Sequence, residues 1–291
     1  MAASLTGARV TLCSVAGLNA RFESKLEEGF AFDLPASFLP FEIAAGTCDV
    51  EVALASRREL PQVAAKTLHE SRVNWRIQEF ESGRVFEVYH PPSGRIYCRA
   101  FVSGTYRDWK VLLRQETSPL SMPHPLDQLI WIPPVAEAGG VFLHACGAVL
   151  DGRALVFAGH SGDGKTTLAR ILEGEGLSIL SDERIALRRD EEGYRAYGTP
   201  WPGAGEKVSS AAHPLGALFV LRKAVEHRIV EAPRHALAGE IVARSIVPYY
   251  LPEVADDVLA TLARLLSEIP LYELHFARAP GVASILAEAF P

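Results

Sequence analysis

ALVFAGHSGDGKTTLARIL, residues 154–172, decides how the second half of this chain folds. The apolar run ALVFA predicts a buried strand, and TLARIL carries the apolar spacing of a helix. Between them the loop matches the pattern G-x-x-x-x-G-K-[ST] at every fixed position. A strand before and a helix after are the context that gives this pattern its meaning. Gly159, Gly162 and Gly164 allow positive φ and let backbone N–H groups approach an anion, while a helix starting at Lys165 turns the positive end of its dipole to the same point. Lys165 is placed to neutralise the β- and γ-phosphates of a nucleoside triphosphate, and the Thr166 hydroxyl to ligate Mg²⁺. The candidate nucleotide-binding set is therefore Gly159, His160, Ser161, Gly162, Asp163, Gly164, Lys165, Thr166 and Thr167. Within it the side chains of His160 and Asp163 are expected to face outward, because a carboxylate inside an anion cradle would oppose its own ligand.

Reading outward, VFLHACGAVL (141–150) and ALVFAGH flank Asp151-Gly152-Arg153, a tight hairpin whose Asp-Gly step supplies left-handed residues. Alternation puts Phe142, His144 and Cys146 on one face of the first strand. A single histidine in an apolar strand reads first as a satisfied core residue, and a His144/Cys146 thiol pair lacks an orienting third group. Downstream, a helix from Lys165 to about Glu173 and a strand LSIL at 177–180 make a short right-handed crossover. That crossover returns the chain to the sheet edge carrying the loop, so Asp182 and Glu183, 17 and 18 residues after Lys165, are expected beside the phosphates. One acid there can hold the Mg²⁺ that bridges phosphate oxygens, and the other can accept a proton from a hydroxyl nucleophile. Thr166, Asp182 and Glu183 are the candidate metal ligands.

The rest of the chain divides by texture. From about residue 8 to 115 the apolar pattern has period two, in DVEVAL (49–54), VNWRIQEF (73–80), RVFEVYH (84–90), RIYCRAFVS (95–103) and WKVLLR (109–114). Ser82-Gly83 and Pro91-Pro92-Ser93-Gly94 supply turns, which predicts short antiparallel strands in a meander or partial barrel. Only ELPQVAAKTLHE (59–70) looks helical in this half. A proline-rich stretch at 116–140, with a short apolar helix at 126–132, places the boundary between a β-rich domain, 1–122, and an α/β domain, 123–291. Further strands are expected in ERIALRR and YRAYG, joined by DEEG, and in GALFVL (216–221) and LYELHF (271–276), with helices at 234–244, 253–267 and 281–289.

Composition narrows the partners. A chain of 291 residues, 48% hydrophobic and 22% charged, has the balance of a globular protein with a sizeable core. A net charge of -6 and the lack of any Lys/Arg block argue against nucleic acid as a partner. Nothing approaches the roughly 18 consecutive apolar residues of a membrane span, and no export signal is evident, so a cytoplasmic location without membrane contact is expected. Cys13, Cys48, Cys98 and Cys146 are widely spaced, which points to reduced thiols and to neither a zinc site nor a disulfide framework.

The stretch HACGAVLDGRALVFAGHSGDGKTTLARIL, followed by GLSILSDERIAL, resembles the catalytic domain of the bacterial HPr kinase/phosphorylase family, over residues 140–221 and less clearly beyond. In that family a His-bearing strand, a G-x-S-G-x-G-K-[ST] loop and an acidic pair come in this order. The resemblance implies an α/β P-loop kinase fold shared with ATP-type phosphoenolpyruvate carboxykinases, and transfer of the ATP γ-phosphate to a serine hydroxyl of a protein. It implies that Asp182 and Glu183 match the acidic pair, and that His144 matches the histidine beside the nucleophile. The catalytic candidates are then Asp182, Glu183, His144 and Lys165, with ATP and Mg²⁺ as cofactors.

The resemblance has three departures. The acidic pair is Asp-Glu instead of Asp-Asp; the added methylene favours Asp182 as base and Glu183 as metal ligand, whereas position at the strand end argues the reverse. YGTPWPGAGEKVS (197–209), with Thr199, Trp201 and Glu206 as secondary candidates, stands where the family has a glycine-rich signature. The β-rich first half is similar instead to stand-alone HPr-kinase-like proteins, some of which phosphorylate ribosomally made peptides such as lasso-peptide precursors. The expectation is a serine kinase acting on a small protein or peptide, with self-association as a homo-oligomer left open. The alternatives are a small-molecule kinase, for which only Arg184, Arg188 and Arg189 lie near the acids, and a non-catalytic ATP-binding regulator.

Overall fold

The computed structural model describes residues 8–27, 30–81, 83–116, 120–160 and 162–290. Contacts divide the chain into two compact units, one running to Pro134 and the other from Val135 onward, with the turn Val15–Gly17 grouped with the second. The division lies further along the chain than the 122/123 boundary read from the prolines.

The first unit holds strands β1 (Arg9–Val15), β2 (Leu18–Lys25), β3 (Phe32–Asp33), β4 (Val50–Arg57), β5 (Lys66–Glu70), β6 (Trp75–Phe80), β7 (Gly83–His90), β8 (Arg95–Val102), β9 (Asp108–Arg114) and β10 (Leu120–Ser121). Eight of them form one sheet in the order β1-β2-β4-β9-β8-β7-β6-β5. The meander β5 to β9 is antiparallel throughout, but β2 pairs β4, and β4 pairs β9, in parallel. The expected all-antiparallel sheet is therefore corrected to a mixed one. Alternation records which face a side chain takes and is blind to the direction of the neighbouring strand.

The helix expected over residues 59–70 is a second correction, because Lys66–Glu70 is strand β5 and residues 59–65 have no regular structure. Pro61 lacks an N–H and biases Leu60 away from helical angles. Leu60 is buried, but Ala64 and Leu68 are exposed, so a helix there would have had little apolar face to bury. Pairing with the edge of β6 satisfies the backbone instead.

Glu87, on β7, is 1% exposed, and its carboxylate accepts from Arg76 Nε at 2.6 Å and Arg99 Nε at 2.5 Å, its cross-strand neighbours on either side. Removing the acid would leave two guanidinium groups without their common counter-charge.

The short helix α1 (Leu126–Leu129) precedes α2 (Ile132–Glu137), so the helix expected at 126–132 is two short pieces. The second unit then holds β11 (Gly140–Leu150), β12 (Arg153–Ala158), α3 (Lys165–Gly174), β13 (Ser178–Ser181), β14 (Arg184–Asp190), β15 (Gly193–Tyr197), β16 (Ala212–Lys223), β17 (Arg228–Val230), α4 (Arg234–Ala243), α5 (Pro252–Glu268), β18 (Leu271–Phe276) and α6 (Val282–Ala289). It is an α/β arrangement with mixed pairing. The Asp151-Gly152 step has φ +47 and +79, the left-handed pair that a two-residue hairpin needs.

Two long strands build the frame. The first half of β11 pairs β14 and its second half pairs β12 and β13, while β16 pairs β15 at its start and then β12 and β18 in parallel. Helices α3 and α6 cover one apolar layer, where Leu168, Leu172, Val282 and Leu286 pack with Cys146, Phe157, Phe219 and Leu274. Helix α4 packs on β16 and β18, and α5 on β11. No helix among the described residues is long and apolar enough to cross a membrane.

Replacing Glu87 by Ala is expected to cost about 3 kcal/mol, since it breaks a buried ion cluster at its centre. Urea unfolding of the two proteins measures it, and a loss under about 1 kcal/mol would mean that solvent already stabilises the arginines.

Candidate functional site

The site grows from the point where β11 changes partners. His144 is the last residue of β11 registered with β14, opposite Arg184, and the next residue, Ala145, is already registered with Ala158 of β12. The His144 carbonyl accepts from Gly159 N–H at 3.2 Å, its N–H donates to the Arg244 carbonyl at 2.8 Å, and Ala145 N–H donates to the Glu183 carbonyl at 3.1 Å. One step of one strand thus joins the glycine loop, the acidic turn and the end of α4. Strands that part from a shared neighbour leave a crevice at their ends, and here the crevice is where the side chains gather.

The glycine loop enters α3 through Gly162 at φ +86 and Gly164 at φ +104. A Cβ on Gly164 would lie 2.7 Å from the Phe276 ring, so glycine is required by space as well as by angle. Lys165 is 4% exposed; its ammonium donates to the carbonyls of Gly159 at 3.0 Å and His160 at 3.3 Å and lies 3.4 Å from Glu183 Oε2. His160 is exposed, in line with its expected outward position. Asp163 does not face outward, which corrects the reading from charge. Its Oδ2 accepts from His160 N–H at 2.5 Å and lies 3.9 Å from Arg244 Nη2. The carboxylate folds back to brace the loop, beside a buried guanidinium. Ser161 lies outside the described residues, and Thr167 lines the cleft beside Lys165 and Thr166.

The two acids part company. Ser181 Oγ accepts from the N–H groups of Glu183 and Arg184, each at 3.3 Å, which fixes the turn that carries them. Asp182 is 0% exposed. Its Oδ1 accepts from Gly203 N–H at 2.9 Å and Lys207 N–H at 3.3 Å, and its Oδ2 from Gly205 N–H at 2.7 Å and the Thr166 hydroxyl at 3.1 Å. Glu183 points the other way, with Oε1 3.5 Å from His144 Nδ1 and Oε2 toward Lys165. The approach of the His144 ring, helped by the charge of Lys165, holds its carboxyl below the usual glutamate range despite partial burial. Glu183 is an ionised acceptor at open space, whereas Asp182 is buried with its lone pairs engaged.

That open space is a cleft of about 540 Å³ lined by the loop and the start of α3, by Glu183 and Arg184, by Pro202–Ala204 and by Arg278. Of the three arginines near the acids, only Arg184 lines it. Arg188 lies over the Tyr197 ring, and Arg189 pairs with Glu268 at 2.7 Å. Arg278 escaped the sequence reading because it is distant in sequence from every motif and reaches the cleft only through the course of β18. Burial pushes the Cys146 thiol up to about 12, so it is not a thiolate at neutral pH and no Cys-His nucleophile is formed.

Among the described residues no three His, Cys, Asp or Glu side chains gather as a metal cage. The Thr166 hydroxyl, which lines the cleft and gives its proton to Asp182, nevertheless keeps lone pairs that fit Mg²⁺, a hard cation that keeps most of its shell for water and phosphate oxygens, with the buried Asp182 orienting that hydroxyl from behind. The secondary candidates separate as well. Thr199 is buried and donates to the Arg184 carbonyl at 2.8 Å, Trp201 packs edge-on against Phe142, and Glu206 is exposed. The first two shape the loop, and none of the three lines the cleft. No protein-family model matches the chain, and no curated protein does, so the geometry itself carries the functional reading.

The Glu183 carboxyl sits below its ordinary value of 4.5, so its ionised form favours the folded state. That contribution is complete above the ordinary value and is lost as pH falls through the lower folded one. Glu183→Gln should therefore lower Tm at neutral pH, with the gap closing as the pH falls below about 4. A gap that stays undiminished at the lowest pH at which both proteins still fold would contradict the contact with His144 and Lys165.

Proposed function

We propose that this protein is an ATP-dependent phosphotransferase of the HPr-kinase-like P-loop type, which transfers the γ-phosphate to a serine hydroxyl of a small protein or peptide. The observation that carries the reading is the convergence of the glycine loop, Lys165 and the Glu183–His144 pair on one cleft. The loop N–H groups and the start of α3 cradle the phosphates, and Lys165 exchanges its present contacts with carbonyl oxygens and Glu183 for the β- and γ-phosphates. Thr166 would hold Mg²⁺, with Asp182 orienting its hydroxyl from behind, and the ion would supply charge neutralisation to the phosphates.

Glu183 then takes the role of base, and this reverses the preference drawn from side-chain length. Its carboxylate accepts the proton of the serine hydroxyl as the oxygen bonds to the γ-phosphorus and the bond to the ADP oxygen breaks. His144, whose Nδ1 lies 3.5 Å from that carboxylate, positions it. Little covalent work is asked of the protein, so positioning and charge stabilisation carry most of the rate. Arg184 and Arg278 favour a second reading, in which the acceptor is a small anionic molecule bearing a hydroxyl.

With γ-labelled ATP, Lys165→Ala is expected to lower transfer by about 100-fold or more while circular dichroism shows the fold retained. Label on a peptide serine supports the first reading and label on a small anion the second. Transfer at the wild-type rate by the variant would remove the phosphotransferase assignment.

A further inference from the structure

We infer that Trp201–Lys207 positions the metal-side carboxylate, Asp182, and thereby ties one wall of the acceptor cleft to magnesium-nucleotide binding. The inference rests on the reading of Thr166 and Asp182 as the metal side of the site. Three main-chain N–H groups of this segment, those of Gly203, Gly205 and Lys207, donate to Asp182. They divide between the two carboxylate oxygens, which fixes the plane of the group and leaves Oδ2 turned to Thr166.

The sequence of the segment is matched to that task. A Cβ on Gly203 would stand 2.9 Å from Asp182 Oδ2, and one on Gly205 would stand 2.6 Å from the same atom and 3.0 Å from Thr166 Cγ2. Only glycine lets the backbone come close enough to donate. The loop ends are pinned independently. Thr199 holds the Arg184 carbonyl, Trp201 packs on Phe142, and Val208 bridges to Ser181.

The same segment is gripped by α3, the helix whose first turn faces the phosphates. Arg170 Nη2 donates to the Ala204 carbonyl at 3.3 Å, and Lys207 Nζ pairs with Glu173 at 2.7 Å. These two surface contacts are weak alone, but they set the segment across the gap between α3 and the acidic turn. Pro202, Gly203 and Ala204 meanwhile line the cleft. A Mg²⁺ held by the Thr166 oxygen would polarise the hydroxyl that donates to Asp182, strengthening that bond and, through the shared carboxylate, steadying this wall when the donor nucleotide and its metal are in place. Residues that orient a metal ligand from behind tune the affinity for the ion, and here the main chain does so through Asp182.

Binding of a fluorescent ATP analogue tests this without turnover, in EDTA and in Mg²⁺. Gly205→Ala should leave affinity in EDTA within about twofold of the wild type and lower the gain on adding Mg²⁺ by about tenfold. A Gly205→Ala protein that keeps the whole Mg²⁺ gain would overturn the inference while leaving the nucleotide reading intact. A wild-type protein that binds no nucleotide would overturn both. Should the variant fail to fold, tryptic cleavage after Lys207 in the wild type decides: slower cleavage with Mg²⁺ and ADP than with ADP in EDTA supports the coupling, and equal rates refute it.

Discussion

The hand-over of β11 from β14 to β12 is the constraint on which the site depends. A strand that pairs β14 up to His144 and β12 from Ala145 must twist away from one neighbour as it meets the next. The backbone groups exposed by that change are satisfied by the glycine loop, the acidic turn and the residue after α4. Catalytic candidates from three distant segments are therefore held by main-chain hydrogen bonds. Side-chain chemistry can vary on such a frame without loss of the frame.

Much of the second unit was legible because its signals are local. The Asp-Gly step needs left-handed residues wherever it occurs, the apolar run before the loop has nowhere to go but a buried strand, and LYELHF is strand β18 over its full predicted length. Chain length alone put Asp182 and Glu183 near the loop, and both are there. What was not legible depends on partners. Strand direction in the first unit leaves no trace in alternation, and the helical spacing of residues 59–70 lost to Pro61 and to an edge that needed pairing.

Charge alone misleads where a carboxylate has a job other than meeting the ligand. Asp163 looked as if it must avoid the cradle, yet it bonds the loop's own N–H and has Arg244 near it. A sequence shows that an acid is present but not whether main-chain donors have reached it. Arg278 is the converse case, a cation brought to the cleft only by the course of β18.

The order Asp182-Glu183 follows from the same geometry. Neighbouring residues on a tight turn send their side chains to opposite sides, and the two sides differ in what they can accept. On the buried side, Gly203 and Gly205 approach so closely that a longer side chain would push through the loop that donates to it. On the open side the carboxylate has to reach both His144 and Lys165, and the added methylene gives that reach. A shorter acid at 183 would reach less far, and a longer one at 182 would displace the segment that orients it. Side-chain length at the pair is thus set by the distance each carboxylate must span, so the extra methylene of Glu183 does not by itself mark it as the metal ligand. In the proposed mechanism the same lengths suit a buried, main-chain-clamped Asp182 for orienting Thr166 at the metal and a partly exposed, ion-paired Glu183 for the proton.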